Sequence, residues 1–183
     1  MMEDLLADDL TRRLATDLDG AFPLVVERMG RRLYWGLRRM SGDHHEAEDL
    51  AQEALIRAYQ ALSEYEHDRI CELKLEPWLW TIALNLGRNH LRTRSRRPTF
   101  VKLTEPKGVE DPELVDGAAW DRRLSSLPPT QRTAVVLRHV VGLGIDEIVE
   151  ITGRPAGTVK TDIHRGLNRL RTIMETESYD ARA

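Results

Sequence analysis

Between Arg97 and Trp120 the chain carries Pro98, Pro106, Gly108, Pro112 and Gly117, with little apolar periodicity among them. Proline removes a backbone donor and pushes the residue before it away from helical angles, so no regular element survives such a run. On either side the apolar residues recur at steps of three and four, the helical period, and no run alternates as a half-buried strand does. No Asn-Gly or Asp-Gly hairpin turn stands between two such runs. These features imply an all-α chain of two small helical domains joined by a flexible acidic linker, the second a helix-turn-helix domain. Its 183 residues suffice for two small cores. The expected organisation is an acidic N-terminal arm over 1–19, a first domain over 20–97, the linker over 98–117, a second domain over 118–176 and a tail over 177–183.

The periodicity predicts helices over Phe22–Met40, Asp43–Leu62, Pro77–Arg96, Ala118–Ser126, Thr130–Val141, Ile145–Thr152 and Ala156–Met174. Asp43 followed by Glu46 has capping-box spacing, with both carboxylates near a helix's positive end. Thr130 is the expected cap after Pro128-Pro129, and Gly153 supplies the residue that commonly follows a last helical turn.

Charge is unevenly spread. The balance is −4 over 1–19, +2 over 20–97, −3 over 98–119, +3 over 120–176 and −1 over the last seven residues. Two mildly basic bodies thus flank an acidic connector. The overall pI near 6.1 argues against a protein that coats DNA constitutively, since such domains are basic throughout. The acidic start Met1-Met2-Glu3-Asp4 lacks the apolar core of a signal peptide, and the longest uncharged stretch, Pro77–Gly87, is eleven residues, well short of the ~20 that span a bilayer. Cys71 is the single cysteine, so a reducing compartment is the default. A cytoplasmic protein without membrane insertion is expected.

Three helices carry the functional signal. In the last, Val159, Ile163, Leu167, Leu170 and Met174 form an apolar stripe, while Thr158, Thr161, Asp162 and Arg165 share another face beside Lys160 and His164. A short helix and the Gly153-Arg154-Pro155 turn precede it, the layout of a helix-turn-helix whose second helix enters the major groove. In the Pro77–Arg96 helix the apolar side is broad, from Leu79 through Leu91. It leaves one narrow polar stripe of Thr81, Asn85, Arg88, Asn89 and Arg92, with Trp78 on its margin. Five arginines and no acid lie between Asn85 and Arg97, a set suited to phosphate contacts and to stacking on unpaired bases. In the Asp43–Leu62 helix, alanines and leucines line the inward face. Opposite them Asp49, Gln52, Glu53 and Ile56 cluster as a small docking patch for a basic partner.

The segment from Asp49 to Tyr59, DLAQEALIRAY, resembles the polymerase-binding helix of extracytoplasmic-function (ECF) sigma factors. Pro77-Trp78-Leu79-Trp80-Thr81-Ile82-Ala83-Leu84-Asn85-Leu86, continuing to Arg97, resembles their promoter −10 helix. Leu127-Pro128-Pro129-Thr130-Gln131-Arg132 and Gly157-Thr158-Val159-Lys160 through Arg171 resemble their −35-binding domain. The resemblance implies an alternative sigma factor that binds bacterial core RNA polymerase and directs it to promoter DNA. It implies that Asp49, Gln52, Glu53 and Ile56 meet polymerase and that Trp78, Thr81, Asn85, Arg88, Asn89 and Arg92 meet the −10 element. A flipped base would be held by the loop Ser63–Glu76. Thr158, Lys160, Thr161, Asp162, His164 and Arg165 would meet the −35 element, and the acidic linker would follow a path built for RNA. An anti-sigma factor as a further partner stays open.

Five positions depart from the family's pattern, and Asp162 bears most on promoter choice. Leu84 and Asp162 stand where the family commonly has arginine, Gly144 replaces a serine cap, and Val149 and Thr152 replace the usual alanine and leucine. Sharing a face with Thr158, Thr161 and Arg165, Asp162 is expected to point toward the groove, where it either accepts from a cytosine amino group or pairs with Arg165 three positions on. A rival reading, a helix-turn-helix regulator with an N-terminal sensing domain, explains residues 153–171 equally well but neither the arginine stripe nor the Asp49 patch. An enzyme is not expected. His44-His45-Glu46 lacks a second histidine four positions on, and His67 and Cys71 lack a second cysteine. No catalytic residue, metal or cofactor is therefore anticipated.

Overall fold

The computed structural model describes residues 2–94 and 117–180, all helix and connecting turns. Residues 98–116 of the expected linker lie outside the described residues. The elements are α1 (Met2–Thr16), α2 (Leu18–Ser41), α3 (His44–Ser63), α4 (His67–Cys71), α5 (Leu75–Arg94), α6 (Gly117–Ser125), α7 (Pro129–Val135), α8 (Ile145–Thr152) and α9 (Ala156–Asp180). At Val136 α7 passes into a π-helical stretch, Val136–Val141.

In the first domain α3 is the central helix, packed between α2 and α5. Its row of Ala47, Ala51, Ala54 and Ala58 is buried, and small side chains let the neighbouring backbones come close. Asp43 caps α3 by accepting from the Glu46 amide at 3.0 Å, as the spacing predicts. Gly42, at φ 76°, ends α2 in the left-handed conformation that glycine adopts without penalty.

Two elements were not expected. The arm is helix α1, which crosses α2 and α4. Leu10 and Leu14, one turn apart, are buried with Ala21, Val25, Leu62, Ile70 and Leu75 in a second cluster. Each leucine so covered contributes roughly 1.5–3 kcal/mol against exposure. Its acidic composition hid this stripe. Helix α4, only five residues long, is too short for periodicity to register. The start of α2 also lies earlier than expected. Asp17 accepts from the Gly20 amide at 3.0 Å, so the helix begins at Leu18 and runs through Pro23.

The second domain packs α7 and α8 against α9. Gly166 sits where α9 crosses α7, so close that an added Cβ would lie 2.6 Å from Val135 Cγ2. Thr130 is not the cap of α7. Pro128 holds the N-cap position and Pro129 the first turn, where a missing amide costs nothing. Gly153, at φ 66°, terminates α8 as expected. Ahead of α8, Glu147 Oε2 accepts from the Gly144 amide at 2.6 Å, one half of a capping box, while the glycine offers no side-chain acceptor to the first-turn amides.

The two domains share one continuous apolar core. Gly36 of α2 faces both the Trp80 ring of α5 and Val141 of the π-helical stretch. Polar contacts seal the seam. Arg132 donates to the Met40 carbonyl across the domains at 2.9 Å, and to the carbonyls of Ser125 and Leu127 at 2.9 and 3.2 Å. Arg38 and Arg39 each reach Asp121 at 3.4 Å, and Arg32 bonds the Val141 carbonyl.

Candidate functional site

Three helix faces hold the residues singled out from the sequence. On α3, Asp49, Gln52, Glu53 and Ile56 follow one another at helical steps of three, one and three, and therefore share a side opposite the alanine row. Ile56 is 53% exposed, and Asp49 and Gln52 are open to solvent. Glu53 accepts from Arg57 Nε at 2.7 Å, an exposed pair one turn apart that orients the carboxylate at small energetic gain. The face offers an apolar centre with an acidic rim.

On α5 the broad apolar side is buried through Leu79, Trp80, Ala83, Leu84 and Leu86. Thr81 is half-buried and its hydroxyl donates to the Pro77 carbonyl at 2.9 Å. Asn85 and Arg88 are exposed and lie one turn apart, with Arg88 Nη1 3.4 Å from Asn85 Oδ1. Arg88 Nη2 also donates to the Ile151 carbonyl of α8 at 3.3 Å. Asn89 and Arg92 belong to the same helix, but their side chains lie outside the described residues.

Trp78 stands at the margin, half-buried, its ring 6.1 Å from that of Tyr65. The Arg69 guanidinium lies 3.5 Å over the Tyr65 ring, a cation–π contact. Tyr65 and Arg69 were not singled out from the sequence, although an aromatic and an arginine four apart beside a tryptophan-bearing helix was a readable signal. Together the three side chains connect α5 to the loop before it.

On α9, Lys160, Thr161, His164 and Arg165 are exposed and Thr158 is half-buried. His164 Nε2 lies 3.0 Å from Asn168 Nδ2, and Thr161 donates to the Gly157 carbonyl at 2.7 Å. The expected orientation of Asp162 needs correction. It is 8% exposed, and its carboxylate is paired with Arg154 of the turn. The reason is the position of the inward face. The buried stripe runs Val159, Asp162, Ile163, Gly166 and Leu170, because α7 crosses at Gly166 and draws the centre of the face toward 162. Leu167 and Met174, read as core, instead line an open groove of about 1020 Å³ with Trp120, Leu124 and Val140.

Arg132 is a further residue whose role the sequence left unread. It spans three carbonyls, and burial lowers its pKa from the ordinary arginine value, although a guanidinium of this kind stays charged.

Residues 25–97 match the Sigma-70 region 2 family, and residues 118–170 match Sigma-70, region 4. Along most of its length the chain is 37% identical to the ECF RNA polymerase sigma factor SigW of Bacillus subtilis, over 169 residues that cover 82% of this chain and 87% of that protein. The chain is an ECF RNA polymerase sigma factor. The RNA polymerase sigma-H factor of Pseudomonas aeruginosa is 34% identical, covering 79% of this sigma factor and 81% of its relative. Among solved structures, the sigma factor RpoE from Bartonella quintana, in complex with the anti-sigma factor NepR, superposes with a TM-score of 0.67 at 25% identity over 84% of this chain and 96% of that one. CnrH, in complex with the cytosolic domain of CnrY, shares the fold with a TM-score of 0.69 at 22% identity over 93% and 97% of the two chains.

The sigma factor thus works with bacterial core RNA polymerase on promoter DNA as an alternative initiation factor. This identity favours it over the rival regulator. Among the described residues no helix is long and apolar enough to cross a membrane.

Proposed function

We propose that this sigma factor docks on polymerase through the α3 face and meets DNA only after its domains separate. Asp49, Gln52, Glu53 and Ile56 would seat on a basic polymerase surface with an apolar recess. Thr81, Asn85, Arg88, Asn89 and Arg92 would follow the −10 strand, with Trp78, Tyr65 and Arg69 offering surfaces on which an unpaired base stacks. Thr158, Lys160, Thr161, His164 and Arg165 would face the −35 groove. Asp162, held by Arg154, positions the turn against α9 rather than reading a base. As an initiation factor the protein would act in the cytoplasm beside polymerase, which supplies the chemistry.

One observation supports the order of events. Arg88, a member of the −10 stripe, is bonded to the Ile151 carbonyl of the second domain, whereas Asp49, Gln52 and Ile56 on the α3 face are exposed among the described residues. An anti-sigma partner that grips both domains would preserve this closed arrangement, as an accompaniment to the complex that RpoE of Bartonella quintana forms with NepR.

Gel shifts on a promoter selected by run-off transcription test the reading. The free sigma factor is expected to bind duplex weakly at physiological salt, and core polymerase to confer specific binding. Tight, sequence-specific binding by the free protein would overturn the reading.

A further inference from the structure

At the first turn of α3, His44, His45 and Glu48 bring one ligand atom each to within 4.8 Å of one another. His44 and Glu48 are one helical turn apart, with His44 Nε2 3.9 Å from Glu48 Oε2, and His45 is the next residue around, its ring 5.2 Å from that of His44. A second observation concerns the other side of the His44 ring. Tyr34 of α2 places its hydroxyl 2.5 Å from His44 Nδ1, and the two rings meet edge-on at 5.8 Å. That contact occupies Nδ1 and turns Nε2 toward Glu48. Metal-bound histidines characteristically have such a partner on the second nitrogen, which fixes the tautomer and the ring plane.

We propose that His44 Nε2, the His45 imidazole and the Glu48 carboxylate form a site for a borderline divalent cation of the zinc class. Two imidazoles and one carboxylate are a donor set that zinc accepts, with water completing a four-coordinate shell. Ligands at ~2.0–2.2 Å from zinc must converge further than the spacing of up to 4.8 Å that separates them here. The movement falls on His45 and Glu48, both exposed, while Tyr34 holds His44 in place. In the bound form the His44 ring proton resides on Nδ1 and is donated to the Tyr34 oxygen, leaving Nε2 for the metal. The positive end of α3 opposes a cation here with about half a charge, and the carboxylates of Asp43, Glu46 and Glu48 in the same turn outweigh it. The pattern of i, i+1 and i+4 on one helix differs from the protease spacing, which is why the histidine pair carried no metal signal in the sequence.

Isothermal titration of the tag-free full chain with Zn²⁺ tests the site. The expected result is one saturable Zn²⁺ per chain, weakened at least about tenfold by His45→Ala and by Glu48→Gln, two exposed positions whose replacement leaves the helix intact. Tyr34→Phe should weaken binding by about tenfold, the scale on which outer-shell partners act. His67→Ala, which removes the only histidine close to Cys71 among the described residues (3.8 Å), should leave affinity unchanged. No saturable binding, binding that keeps its affinity in His45→Ala and Glu48→Gln, or binding lost in His67→Ala would each overturn the proposal.

Discussion

The outer face of α3 and the polar stripe of α5 belong to one domain and look alike in sequence, since each sets charged residues opposite an apolar arc. They end differently. The α3 face is open, with Ile56 at its centre more than half exposed. The α5 stripe adjoins α8, and Arg88 is tied to its backbone. The difference lies in the width of the apolar arc. On α3 it is narrow and alanine-rich and is satisfied within the domain, whereas on α5 it is broad enough that the helix packs both on α3 of its own domain and on α8 of the second. A helix whose apolar side exceeds what its own domain can cover advertises a second partner.

The largest effect is expected where the open face is reversed. Asp49→Lys with Glu53→Lys should reduce holoenzyme assembly by a hundredfold or more, since two like charges against a basic partner cost several kcal/mol. Far-UV circular dichroism should remain unchanged. Normal co-purification with core polymerase would show that the α3 face is not the dock.

Next comes the seam. Arg132→Ala strands three carbonyls and should lower thermal stability by about 1–3 kcal/mol. It should also open the domains, read as faster proteolysis between Arg94 and Gly117. A melting curve and cleavage rate identical to wild type would remove Arg132 from the closure.

A smaller effect is expected on the covered stripe. Asn85→Ala with Arg88→Ala should slow promoter opening by about tenfold, some 1.4 kcal/mol, while core binding stays within twofold. Permanganate reactivity of melted thymines measures this, and unchanged opening would make the stripe ordinary solvated surface.

The smallest effect separates two readings of the recognition helix. Asp162→Arg sets a second guanidinium against Arg154 and should destabilise the protein by about 1 kcal/mol, with the exchange Arg154→Asp, Asp162→Arg recovering much of the loss. Selection of −35 sequences should give the same preferences before and after the exchange. A changed base preference at one position would return Asp162 to the groove.

Much of this was legible in the chain. Breakers from Pro98 to Gly117 separated two helical bodies, alanine periodicity identified the buried side of α3, and Asp43 and Gly153 marked helix ends where the structure has them. Three motifs in order carried the family, which the comparisons bear out. Less legible were features whose signal is distant or brief. Leu10 and Leu14 are a stripe of two in an acidic arm, and their burial depends on Ile70 and Leu75, some sixty residues away.

Local periodicity records which residues are apolar and how they are spaced, because that pattern is written along one helix. It therefore sufficed for the longer helices from α2 onward, for the two helical bodies and for the buried side of α3, but not for the inward face of α9. It does not record which helix crosses which, or where. The crossing at Gly166 moved the inward face of α9 by part of a turn and buried Asp162, and the meeting of Gly36, Trp80 and Val141 brought the domains together. Both outcomes rest on side-chain volumes from separate segments fitting one space, a property of the packed chain that no single stretch of residues contains.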